Sequence, residues 1–146
     1  MKQWKRRAGA LVLAVTVALG LFLLAGCKGK PLPEGMDKDT AQAKAEEVLA
    51  LLNEENYDEV ADQFRQDVRE EYGITADTIE QAMENVADAG AYVKLTDSTV
   101  VGGENENFDG EYAVAVLYCK HEKKKVVYQF SIDPSYQLIG FSAQIR

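Results

Sequence analysis

The 146 residues include one histidine, His121, and two cysteines, Cys27 and Cys119. A zinc cluster needs more ligands than that, and a disulfide framework needs more thiols. His121 follows Lys120 and precedes Glu122-Lys123-Lys124-Lys125, so the sequence predicts a solvated turn residue on a small basic hairpin tip. A serine nucleophile would require Ser98, Ser131 or Ser142 to reach that imidazole across the fold, and no G-x-S-x-G elbow presents any of them. Cys119, beside Leu117 and Tyr118, is expected to be a packed, inert thiol. Asn105, Asn107, Asp109 and Gly110 alternate as the oxygen ligands of a calcium loop do. The first position is Asn, however, and the twelfth, which needs a bidentate Glu, is Val116. A solvated hairpin loop is the better reading. Acid–base work is left to a carboxylate paired with a tyrosine. Glu46, Glu47, Asp62, Asp67, Glu80 and Glu84 alternate with apolar stripes, so they face water, where little moves a carboxyl toward neutrality. No catalytic residue, metal or cofactor is assigned.

Cys27 differs because of what precedes it. Met1-Lys2-Gln3-Trp4-Lys5-Arg6-Arg7 carries four cations, and an uncharged apolar run from Ala8 to Leu24 follows. This is the n-region and h-region of a secretory signal. The run approaches the ~20 residues that span a bilayer, so an uncleaved anchor is the competing reading. It ends in Leu24-Ala25-Gly26-Cys27, which resembles the bacterial lipoprotein signal called the lipobox at all four positions. That resemblance implies a diacylglyceryl group on the Cys27 thiol and cleavage before it, making residues 1–26 the signal peptide and Cys27 the mature N-terminus. Two acyl chains anchor stably where one binds reversibly. The expected location is the outer face of the bacterial cytoplasmic membrane, with the membrane itself as a partner. Lys28 follows where an Asp would signal inner-membrane retention in enteric bacteria, which leaves the envelope type open.

Without residues 1–26 the chain keeps 12 Lys plus Arg against 24 Asp plus Glu, a net of −12. Such a surface repels phosphate backbones and argues against nucleic-acid partners. At 47% apolar and 27% charged, the composition is that of a globular chain, long enough for one core.

The elements follow from periodicity. Residues 27–38 contain Gly29, Pro31, Pro33 and Gly35 and read as an extended, mobile tether; the domain proper spans 39–146. Ala41, Ala45, Val48, Leu49 and Leu52 predict a first helix to Asn53, capped by Asp39 or Thr40. Asn56 with Glu59 suggests a capping box opening a second helix, with Tyr57, Val60, Ala61, Phe64 and Val68 as its stripe, ending near Gly73. A third runs from the Ile74–Ile79 staple around Thr75 toward Gly90. Strands are predicted at Tyr92–Val101, Tyr112–Cys119, Val126–Ile132 and Gln137–Ile145. In the third, Val126, Tyr128, Phe130 and Ile132 share the face that should meet the helices; the second is apolar on both faces and therefore central. The expectation is an α+β fold, three N-terminal helices packed on one face of a three- to four-stranded antiparallel meander.

Ala45-Glu46-Glu47-Val48-Leu49-Ala50-Leu51-Leu52, then Asn56-Tyr57-Asp58-Glu59-Val60, Phe64, and the terminal Leu138-Ile139-Gly140-Phe141 resemble the domain-of-unknown-function 3887 family, found in bacterial lipoproteins and grouped with nuclear-transport-factor-2-like (cystatin-like) folds. The resemblance implies a cone-shaped fold and no established catalytic residues. Folds of this kind enclose a pocket between sheet and helices, which here would be lined by Tyr118, Tyr128, Phe130 and Phe141, the tyrosine hydroxyls orienting a ligand. Three functions are carried forward: a non-catalytic module binding a small ligand or surface protein, a cystatin-like inhibitor or folding assistant of a secreted protease, and a small pocket hydrolase or isomerase.

Overall fold

The computed structural model describes residues 30–103 and 110–146. The lipobox at 24–27 and the loop positions Asn105, Asn107 and Asp109 lie outside the described residues. Helices α1 (Lys38–Asn53), α2 (Tyr57–Asp62), α3 (Gln66–Tyr72) and α4 (Ala76–Glu84) are followed by a 3-10 turn, Ala87–Ala89. Strands β1 (Tyr92–Gly103), β2 (Tyr112–His121), β3 (Lys125–Ile132) and β4 (Leu138–Ile145) then form an antiparallel meander in chain order. The chain is α+β, with its helices against one face of a four-stranded sheet. Among the described residues no helix is long and apolar enough to cross a membrane.

Helix α1 buries Ala41, Ala45, Val48, Leu49 and Leu52 against β1, β2 and β3. Its cap is Asp37, whose carboxylate accepts from Thr40 N at 2.9 Å, earlier than the expected Asp39 or Thr40. The single second helix is corrected to two, α2 and α3. Leu138 N donates to Gln63 O (2.9 Å) and Arg65 N donates to Leu138 O (2.8 Å), so the backbone around Phe64 pairs with the start of β4 and cannot continue a helix. Asn56 makes no side-chain cap bond. Thr75 and Thr78 form a reciprocal capping box at α4, which stops at Glu84 before the 3-10 turn reaches Gly90.

The helix-facing side of the sheet carries Val126, Tyr128, Phe130 and Ile132 of β3, as expected, with Ala113, Ala115, Leu117 and Cys119 of β2. The rings of Phe130 and Phe141 stack there at 5.6 Å. The outer side carries a second cluster, Tyr112, Val114, Val116 and Val127, flanked by Val101, Tyr118 and Ile139. Its described members are all sheet residues.

The tether is the largest departure from expectation. From Lys30 onward it is docked: Gly102 N donates to Lys30 O at 2.8 Å, bridging Lys30 to the edge strand β1. Pro33 is buried, Met36 joins the core, and Asp37 N donates to the Tyr136 hydroxyl at 2.7 Å. A Cβ on Gly102 would stand 2.1 Å from the Pro31 carbonyl oxygen, so only glycine lets this strap lie so close. The prolines and glycines report the absence of helix, and not an absence of contacts. The strap also covers part of an edge that would otherwise present unpaired backbone groups.

Candidate functional site

His121 is not solvated. It is 5% exposed, at the end of β2 on the helix side. Its Nδ1 lies 2.9 Å from Gly90 O and its Nε2 lies 3.0 Å from the Tyr128 hydroxyl. A carbonyl only accepts, so Nδ1 carries the proton and Nε2 accepts from Tyr128. The edge of the Tyr92 ring closes the group at 5.8 Å. The tip of the β2–β3 hairpin folds over it. Lys123 N donates to Ala89 O (2.8 Å), Glu122 N donates to Ala91 O (2.9 Å), and Ala91 N donates to Glu122 Oε1 (2.8 Å). With both nitrogens engaged, the imidazole has no lone pair free to serve as a base. Burial pushes the Tyr128 hydroxyl up from its ordinary value and the neighbouring Cys119 thiol up to about 11, so both hold their protons at neutral pH. Ser131, opposite Gly140, and Ser142, opposite Gln129, lie on the outer side of the sheet, away from His121.

The four aromatic residues expected to line one pocket do not meet. Tyr128 and Phe130 are fully buried in the core and Phe141 packs on Phe130. Tyr118 lies on the outer side, its ring 5.9 Å beneath the Arg146 guanidinium. The register explains this: Tyr128 pairs with Leu117, and Tyr118 pairs with Val127, so one-residue alternation puts the two tyrosines on opposite faces.

Tyr118 instead lines a cleft of about 250 Å³ at the sheet's end, with Thr96, Asp97, Lys125, Val127 and Arg146. A bulge between Leu95 and Asp97 opens it, and Thr96 Oγ1 donates to Tyr118 O at 2.9 Å. Two cations, one carboxylate and an aromatic ring around a small concavity suit a ligand with an anionic group beside a flat or apolar part. A more open groove of about 520 Å³, lined by Asp62, Phe64, Gln66, Arg69, Glu70 and Gln137, follows from the break between α2 and α3. Its ion pair, Arg69 Nη1 to Asp62 Oδ1 at 3.0 Å, is solvated.

The six helix carboxylates face water as expected. Among the described residues the buried carboxylate is Asp133, between the third and fourth predicted strands. It is 3% exposed. Its Oδ1 accepts from Ser135 N (3.0 Å) and Gln137 N (2.9 Å), and its Oδ2 faces Arg65 Nη1 at 3.4 Å. These are the bonds of a side chain mimicking a backbone turn, and Asp-Pro-Ser is a readable signal for it. Its oxygens are thus committed to the turn and to Arg65. Among the described residues no group of three or more His, Cys, Asp or Glu could hold a metal ion.

No curated protein matches the chain. The NMR structure of a protein from Ruminococcus gnavus ATCC 29149 superposes with a TM-score of 0.63, covering 78% of this chain and 96% of that one at 23% identity, a likeness of fold. Residues 45–141, more than half of the chain, match the model of a family described as a protein of unknown function, DUF3887, and the chain belongs to that family.

Proposed function

We propose that the protein is an extracytoplasmic lipoprotein, held by acylated Cys27 on the outer face of the bacterial cytoplasmic membrane, whose domain binds a ligand without transforming it. The observation that carries the reading is Leu24-Ala25-Gly26-Cys27 at the end of an uncharged apolar run. Replacing Cys27 by Ala should abolish incorporation of a clickable fatty acid in the native host; equal incorporation, or a mature chain that retains Met1, removes the assignment. Binding without turnover is supported by the chemistry of the candidate groups: an imidazole with both nitrogens bonded, a thiol and a hydroxyl held protonated, and a buried carboxylate committed to a turn. The ligand site best supported is the cleft at Tyr118, Lys125 and Arg146. Titrating small aromatic carboxylates should shift the amide resonances of Tyr118 and Lys125, and Arg146→Gln should weaken the effect several-fold. No shift at millimolar concentration sinks the cleft as a ligand site. The inhibitor reading needs exposed apolar loops, and Val93, half exposed, is the exposed large apolar side chain among the described residues. The hydrolase reading needs a buried carboxylate free to work with a tyrosine, a role that Asp133 is poorly placed to fill.

A further inference from the structure

We propose that the lysine-rich end of the sheet is a second contact with the membrane, made to anionic phospholipid; the inference rests on the reading of Cys27 as the anchor. Residues 92–103 and 110–146 hold six Lys and Arg, and all six gather at one end. Lys94 pairs with Lys120, Lys120 pairs with Lys125, and Arg146 N donates to Lys125 O at 2.8 Å. Lys123 and Lys124 lie in the turn between β2 and β3. All six are exposed, and among the described residues none is ion-paired. Against them stand Asp97 and Glu122 of the sheet and Asp88 of the 3-10 turn under the tip, a net of +3. Residues 38–89, the helix layer, hold fifteen Asp and Glu against four Lys and Arg. Like charges placed opposite one another on neighbouring strands repel and cost stability, and an anionic partner relieves that cost.

No carboxylate outside the described residues reaches this end. Residues 1–29 contain no Asp or Glu. Glu104, Glu106 and Asp109 each stand within three residue steps of Gly103 or Tyr112, and Tyr112 lies ~26 Å along β2 from Lys120. Where the chain enters the domain then selects the occupant. The strap bridges Lys30 to Gly102 on the edge strand β1, and Lys94 stands toward the other end of that strand, ~26 Å away. A domain anchored beside its strap and resting its lysine end on the bilayer lies with β1 along the surface. Phospholipid headgroups form a continuous anionic plane that both ends of β1 can share, whereas a soluble anion meets one. Each cation held against an anionic leaflet favours contact about fivefold. The acidic helix layer argues against a polyanion that wraps the domain. Lys125 and Arg146 also line the cleft at Tyr118; Lys120, Lys123 and Lys124 do not, and they report this contact alone.

The test uses the full chain, purified from its host and reconstituted into vesicles of phosphatidylcholine alone or with about a third phosphatidylglycerol. Acetylation of the lysine amines is followed residue by residue by mass spectrometry. Phosphatidylglycerol should slow acetylation of Lys120, Lys123 and Lys124 about threefold or more, and leave Lys44 on α1 unchanged. Lys123→Glu combined with Lys124→Glu should remove the protection at Lys120 while the chain stays on the vesicles through its N-terminal anchor. Equal rates in the two kinds of vesicle, the same protection at Lys44, or protection at Lys120 that survives the double substitution would each overturn the proposal. So would protection by soluble glycerol phosphate at the same phosphate concentration, which would assign the lysines to a free anion. A chain that floats with the vesicles and keeps these lysines reactive removes this contact alone; fatty-acid labelling at Cys27 reads the anchor separately.

Discussion

His121 and Asp133 sit at opposite ends of the same strand pair and solve one problem by different chemistry. Both are buried polar residues in tight connections, and both tie an end of the sheet to the helix layer. His121 does it with neutral bonds, to Gly90 O and the Tyr128 hydroxyl, inside a cage of aromatic rings. Asp133 does it with a charge, shared between two turn amides and an Arg65 whose side chain is 29% exposed. A neutral group can be enclosed once its donors and acceptors are matched, whereas an ion needs a partner that still touches water. Both residues are enclosed, at 5% and 3% exposed, and the charged end keeps its touch with water through Arg65.

The comparison breaks most completely when the core shared by both ends is removed. Phe130→Ala and Phe64→Ala should each cost about 3 to 5 kcal/mol by chemical denaturation, and wild-type-like stability in both would refute the helix-on-sheet packing. Asp133→Ala strands two turn amides and should cost about 2 to 3 kcal/mol. Hydrogen exchange should then speed up at Ser135 and Gln137 while Ala91 and Glu122 stay protected; equal loss at both ends would mean that they are not independent. Tyr128→Phe leaves His121 Nε2 buried without a donor and should cost about 1 to 2 kcal/mol, with the opposite exchange pattern. The mildest effect concerns Cys119. Burial raises its thiol from 9.0 to about 11, so the folded chain keeps a proton that the unfolded chain releases. That contribution to stability is intact below pH 9 and is lost as pH rises through 11. Cys119→Ala should flatten the alkaline fall in denaturation midpoint, and an unchanged slope would assign the fall to other groups, Tyr128 first among them.

What the sequence made legible is what local periodicity controls. The α1 stripe, the strand bounds to within two residues and the helix-facing side of β3 all follow from patterns of 3.6 or 2. His121 was misread because its sequence neighbours are charged while its enclosure comes from Gly90 and Tyr92, about thirty positions away. The break at Phe64 is set by Leu138, still further along the chain. The failed aromatic pocket is a different kind of error, since its signal was present. With Lys120 paired to Lys125 at the hairpin tip, counting back places Tyr118 opposite Val127 and separates it from Tyr128. Asp133 falls between the third and fourth predicted strands, and its neighbours Pro134 and Ser135 mark it as the residue that organises a turn.

The docked strap also sets a distance. A chain pinned at Lys30 is three residue steps from Cys27, and three extended steps reach at most about 10 Å. If Cys27 carries the anchor proposed above, the domain stands on a leash about as long as the Debye length, ~8 Å at physiological ionic strength. A body with a net charge of −12 would then feel the headgroup charge directly. Its tilt on the bilayer would depend on salt and on lipid composition, a coupling that a tether free through to residue 38 would have screened away.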